Sequence, residues 1–167
     1  MVAINQKKLN QFLASDRVSF KGVEKENLRS DKDGRISNKS FPEAFGVHNF
    51  NSFVTLDYSQ PHLEIVTPTF QDNYELYGFL EGLHAYVEQN LEGDLLWNYS
   101  MPPKFKGKFI KLPPYGKSNK TKLAHLYRLG LRNRYGDKMQ STAGIHFNIS
   151  FSESVIKELN TTKTDLY

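Results

Sequence analysis

The chain has 167 residues, with 22 basic and 18 acidic side chains, a formal charge of +4, 38% hydrophobic residues and no cysteine. That length suits one domain with a real core. Twelve Phe and nine Tyr argue against disorder, and the missing thiols exclude disulfides, cysteine zinc sites and a cysteine nucleophile. No apolar leader opens the sequence and no run approaches the ~18 apolar residues of a membrane span, so a cytoplasmic protein without membrane contact is expected.

Leu9, Phe12 and Leu13 recur at helical spacing after Asn5, a capping residue, which predicts a helix over residues 5 to 14. From Phe20 to Arg29 the pattern changes to apolar/polar alternation, and Asp31 to Gly34 reads as a turn into a short return strand at Arg35–Ser37. Phe53 to Val66 is rich in β-branched and aromatic residues, broken by Pro61 and ended by Pro68. The strongest helix runs from Asn73 to Leu91, with Asp72 and Glu75 as a capping pair, Leu76, Leu80, Leu83 and Val87 as the apolar stripe, and Gly93 as C-cap. Prolines 102, 103, 113 and 114 make residues 98 to 117 loop or short strand. A second helix is expected over Lys120 to Tyr135, with Leu123, Leu126, Tyr127 and Leu131 on one face and Gly136 after it. Ile145 to Phe151 is the clearest strand. Its odd positions form an apolar core face; His146, Asn148 and Ser150 project from the other. Strands and helices without βαβ alternation predict an α+β fold with an antiparallel sheet.

The positive charge is local. Seven lysines and no acid lie between Lys104 and Lys122, and without them the chain stands at −3. With Phe105, Phe109 and Tyr115 interleaved, the segment could stack on and attract nucleic acid, but its plain reading is a solvated loop.

Glu24 and Glu26 share one strand face, where neighbouring carboxylates repel unless a cation lies between them. Such an oxygen cluster suits Mg²⁺; a solvated face with Lys25 and Arg29 as counter-charges is the plain alternative. Asp57 and Glu64 flank an apolar segment, seven residues apart, so they share a face only if the chain breaks near Pro61; an edge strand meeting water is the other reading. His146 could ligate a metal or simply hydrogen-bond. These residue types suit metal-assisted phosphate chemistry, although no Walker loop, GxGxxG or GxSxG motif is present.

Several segments together resemble the proteobacterial glutamate–cysteine ligases. They are Gly22–Arg29 (GVEKENLR), Asp33–Arg35, Thr55–Ser59 (TLDYS), Leu63–Pro68 (LEIVTP) and Trp97–Pro102 (WNYSMP), then Tyr115–Asn119 (YGKSN), Leu126–Gly136 (LYRLGLRNRYG) and Met139–Asn148 (MQSTAGIHFN). Their order and spacing hold from Val18 to Phe151.

The resemblance implies ATP-dependent joining of the glutamate γ-carboxylate to the cysteine amine through a γ-glutamyl phosphate, the first step of glutathione synthesis. It implies Mg²⁺, with Mn²⁺ as a substitute, and L-glutamate, L-cysteine and ATP as partners. Carried over residue by residue, Glu24, Glu26, Asp57, Glu64 and His146 resemble the metal ligands. Tyr58, Tyr127, Leu131 and Gln140 resemble the amino-acid pocket, Tyr58 standing where some relatives have phenylalanine. Arg128 and Asn148 correspond to phosphate contact and site support. The implied fold is a curved, mainly antiparallel sheet with helices packed behind, akin to part of glutamine synthetase. Family members are longer, so the 167 residues are expected to form one domain matching their amino-terminal third. On that expectation the chain alone turns over little, because the missing downstream segment brings further arginines, a tyrosine and a glutamate. The alternative is a non-catalytic short relative acting as a binding module or as one subunit of a split ligase.

Overall fold

The structure, a computed structural model, describes residues 19–105, 107–114 and 116–158, together with Lys7 and Asn10. The helix expected over residues 5 to 14 lies outside the described residues, save Lys7 and Asn10, both of them helical.

The sheet is built on one long strand, β1 (Ser19–Ser30), joined by β2 (Val54–Leu56), β3 (His62–Val66), β4 (Leu95–Trp97) and β5 (Ile145–Phe151). Its order is β2-β3-β1-β4, with β5 pairing the first half of β1, and every strand pairing is antiparallel. The expected α+β class holds. Strand β4 was hidden in sequence, since three residues are too few to show a period. The expected return strand near Arg35 is reduced to single bridges, Ser30 to Ile36 and Arg35 to Lys104.

Helix α1 (Asn73–Gln89) starts where Asp72 accepts from the Tyr74 and Glu75 amides, satisfying two of the donors a helix start leaves free. Asn90 rather than Gly93 is its C-cap; Gly93, at φ 85°, turns the chain three residues later toward β4. Leu80, Leu83 and the fully buried Val87 pack on Val54, Leu56, Leu63 and Ile65 of the sheet. Each such aliphatic side chain, when fully buried, contributes roughly 1.5–3 kcal/mol, so this layer holds β2 and β3 against α1.

Helix α2 (Asn119–Met139), capped by Ser118, runs past the expected end because a second helical segment follows a kink at Gly136. Among the described residues α1 lies behind the sheet, while α2 packs on the β2–β3 turn, where Arg128 donates to the Asp57 carbonyl. Leu123, Leu126 and Tyr127 are exposed, so the helix's apolar positions are not core. The same correction applies to β5. Ile145, Phe147 and Ile149 were expected to form a core face but are 67%, 59% and 44% exposed, whereas the residues of α1 in the core cluster pack on β2 and β3. A short helix, α3 (Glu153–Glu158), follows β5. Among the described residues no helix is long and apolar enough to cross a membrane.

Arg29, expected as a solvent-facing counter-charge, is fully buried. Its guanidinium pairs with Asp94 at 3.1 Å and donates to the carbonyls of Lys39, Ser40 and Gln60. It belongs to the scaffold.

Candidate metal centre and amino-acid pocket

Strand register builds the site. Glu26 lies opposite Glu64, Leu28 opposite His62, and Glu24 opposite His146. Partners across antiparallel strands share a face, so Glu24, Glu26, His62, Glu64, His146 and Asn148 all project from the side away from α1. Asp57 joins them because the chain reverses through residues 58–61: β2 ends at Leu56, β3 begins at His62, and the Asp57 amide bonds the His62 carbonyl. The break expected at Pro61 is what lets Asp57 and Glu64 converge.

The tightest group is Glu26, Asp57 and His62, whose ligand-type atoms lie within 4.8 Å of one another. His62 Nδ1 is 3.4 Å from Asp57 Oδ2 and His62 Nε2 is 3.7 Å from Glu26 Oε2. Both ring nitrogens are buried, and among the described residues neither has a hydrogen-bond partner. His146 Nε2 stands 3.5 Å from the other Glu26 oxygen, on an exposed side chain. The Gly144 amide donates to Glu26 Oε2 at 2.8 Å, and Asn148 donates to Glu24 Oε1 at 3.0 Å.

The carboxyls divide. The neighbouring His62 imidazole holds Glu26 below its ordinary range, helped by the Gly144 amide and opposed by burial. Burial pushes Glu64 up, and the charges of Asp57, Glu24 and Glu26 add to this. Asp57 is raised chiefly by burial, with His62 opposing. Four carboxylates that repel on one face, beside an imidazole with two orphaned nitrogens, form a donor set for a hard divalent cation. The residues fit such an ion. Of the five expected ligands, Glu26 and Asp57 stand in the tight group, His146 reaches Glu26, and Glu24 and Glu64 share the same sheet face. His62 was passed over as a ligand, yet two residues from Glu64 on a strand it had to share that face.

Beside Asp57, a cavity of about 350 Å³ is lined by Asp57, Tyr58, Ala124, Tyr127, Arg128, Leu131 and Gln140. The four residues expected in an amino-acid pocket therefore line one cavity, and Arg128 joins them. Tyr58 is buried, and its hydroxyl donates to Asp137 at 2.5 Å. Burial and the adjacent Asp137 carboxylate push this phenol well up, so it stays protonated at neutral pH. Asp137 was not anticipated; nothing in the sequence around Gly136 marks it as buried.

Residues 2–166 match the family model described as glutamate-cysteine ligase. The chain is 39% identical over 143 residues to a glutamate–cysteine ligase of Wigglesworthia glossinidia brevipalpis, covering 85% of this chain and 28% of the relative. It is 42% identical over 136 residues to one from Hahella chejuensis, covering 80% and 26%. The structure of the Francisella tularensis glutamate–cysteine ligase in complex with AMP superposes with a TM-score of 0.84 at 30% identity, over 90% of this chain and 31% of that one. A bifunctional glutathione synthetase from Pasteurella multocida gives a TM-score of 0.80 at 25% identity, over 93% and 20%. The chain thus spans between a quarter and a third of the ligases it matches. With a match through nearly all of its residues and the same fold, the chain belongs to the glutamate–cysteine ligase family.

Proposed function

We propose that this chain forms the metal-and-cysteine side of a site that joins the glutamate γ-carboxylate to the cysteine amine at the expense of ATP, in the cytoplasm. The observation that carries the reading is the shared edge at Asp57: the Glu26–Asp57–His62 cluster and the cavity containing Tyr58, Tyr127, Leu131 and Gln140 meet there. Glu24, Glu26, Asp57, His62, Glu64 and His146 would hold divalent ions, Mg²⁺ or Mn²⁺, which when bound neutralise triphosphate charge.

In the reaction a glutamate γ-carboxylate oxygen attacks the γ-phosphorus of ATP, releasing ADP and leaving a γ-glutamyl phosphate. The cysteine amine then attacks the γ-carbonyl carbon, and phosphate and a proton depart as the amide forms. This chain's part is to hold the cysteine in the cavity with its amine toward Asp57 and the metal face. Proximity of this kind lowers the barrier without covalent help from the protein. Gln140 and Arg128 supply polar contacts to the amino acid or phosphate, while Asn148 steadies Glu24.

Two measurements test the reading. Calorimetry with Mn²⁺ should show saturable binding that Glu26→Gln removes. ADP release with ATP, glutamate and cysteine should be negligible for the chain alone. It should appear when the chain is joined to the part of the Francisella ligase beyond the matched region. Metal-independent behaviour of the wild type, or no ADP release from the joined protein, would sink it.

A further inference from the structure

Asp137 is a buried carboxylate with no place in the metal cluster, and it does not line the amino-acid cavity. Gly136, at φ 77° and ψ 159°, breaks the helix in a conformation that costs glycine little and other residues much, and the turn delivers Asp137 inward. Its Oδ1 accepts from the Tyr58 hydroxyl at 2.5 Å and from Arg132 Nε at 2.9 Å; its Oδ2 accepts from the Ile110 amide at 2.7 Å. One side chain therefore ties the end of α2 to the β2–β3 turn and to the 110 loop.

The consequence falls on the cavity. Tyr58 lines it, but the Tyr58 hydroxyl proton is committed to a residue outside it. Ala124, Tyr127 and Leu131 line the cavity with it and offer mostly carbon surface. A buried phenol without a partner would turn to whatever acceptor is available, including a hydroxyl on a bound amino acid. We propose that Asp137 is a positioning residue that sets the side-chain selectivity of this pocket. By holding the Tyr58 hydroxyl away, it makes the pocket favour a thiol or methyl group over a hydroxyl. The inference deepens the reading given under Proposed function and rests on it.

The test titrates L-cysteine, L-2-aminobutyrate and L-serine into the full chain with Mg²⁺, following aromatic and amide resonances. Wild type should bind the first two on the order of 10-fold more tightly than serine, the scale on which an apolar pocket distinguishes such side chains. Asp137→Ala should bring the three within roughly 3-fold, by freeing the phenol to bond the serine hydroxyl. Tyr58→Phe in that background should restore the wild-type ratio. Asp137→Asn keeps an acceptor for the Tyr58 hydroxyl while its amide nitrogen meets the Ile110 amide, so it should retain the ratio at lower stability. A role in folding alone would weaken all three ligands equally, and an unchanged ratio in folded Asp137→Ala overturns the proposal. If Asp137→Ala does not fold, Tyr58→Phe alone decides: an unchanged ratio supports a sequestered hydroxyl, and an altered ratio refutes it. No binding of any amino acid by wild type overturns the broader reading as well. Selective binding with no ADP release from the joined protein overturns only the catalytic reading.

Discussion

Arg29→Met converts the buried guanidinium into an apolar chain of similar reach. In the wild type Arg29 is fully buried and bonds Asp94, at 3.1 Å, and the carbonyls of Lys39, Ser40 and Gln60. After the change Asp94, itself buried, keeps among the described residues the Ser37 hydroxyl at 2.6 Å and the half-exposed Lys39 ammonium at 3.2 Å. Three carbonyls lose a charged donor. Removing one partner of a buried pair costs about 3–5 kcal/mol, since the remaining charge stays desolvated. For a domain of this size that is a fall in Tm of roughly 6–20 °C. The Gln60 carbonyl sits in the turn between Asp57 and His62, so Mn²⁺ affinity should fall along with stability. Urea unfolding with an unchanged m-value measures the first effect and Mn²⁺ calorimetry the second. Adding Asp94→Asn to the Arg29→Met variant should recover part of the loss. A cost under about 1 kcal/mol with the fold intact would refute the assignment of Arg29 as a structural charge.

Other outcomes follow from the same geometry. Saturating Mn²⁺ should raise Tm, at 100 times Kd by an amount equivalent to about 2.7 kcal/mol, and EDTA or His62→Gln should abolish the rise in thermal scans. In EDTA the raised carboxyls of Glu64 and Asp57 favour the fold when protonated. Their contribution is fully present below the unfolded values of 4.5 and 3.8 and disappears as pH rises through the higher folded values. Glu26, held low, has the opposite sign: its contribution is present above 4.5 and disappears as pH falls through its folded value. Tm should therefore increase on acidification from pH 7 toward about 5, less so in Glu64→Gln; an equal increase in that variant would contradict the assignment. Leu63→Ala, at a fully buried position against Val87, should cost about 2–5 kcal/mol in urea unfolding. Leu126→Ala on the exposed face of α2 should stay within about 0.5 kcal/mol.

The elements legible in the sequence were those whose periodicity is local. The alternation of β1, the Asp72 cap with its Leu76–Val87 stripe and the break at Pro61 each report a backbone geometry that neighbours in sequence set. The metal-type acids were legible for a similar reason, because a carboxylate every second residue is unusual on a strand. Some of the misreadings came from treating polarity as exposure. Arg29 looked like surface and is buried on three carbonyls and Asp94, whereas Ile145, Phe147 and Ile149 looked like core and face outward. Where a side chain ends up depends on what covers it, and α1 covers only part of the sheet.

The sequence by itself determined which residues could form strands and helices, the absence of thiol chemistry, the local origin of the +4 charge and the resemblance that names the family. Only the tertiary structure decided which acids meet. The register of β3 on β1 sets Glu64 across from Glu26, the reversal after Leu56 brings Asp57 to His62, and the Gly136 kink turns Asp137 onto Tyr58. The first and last of those meetings join residues distant along the chain, and their energy comes from burial and pairing that no local window contains.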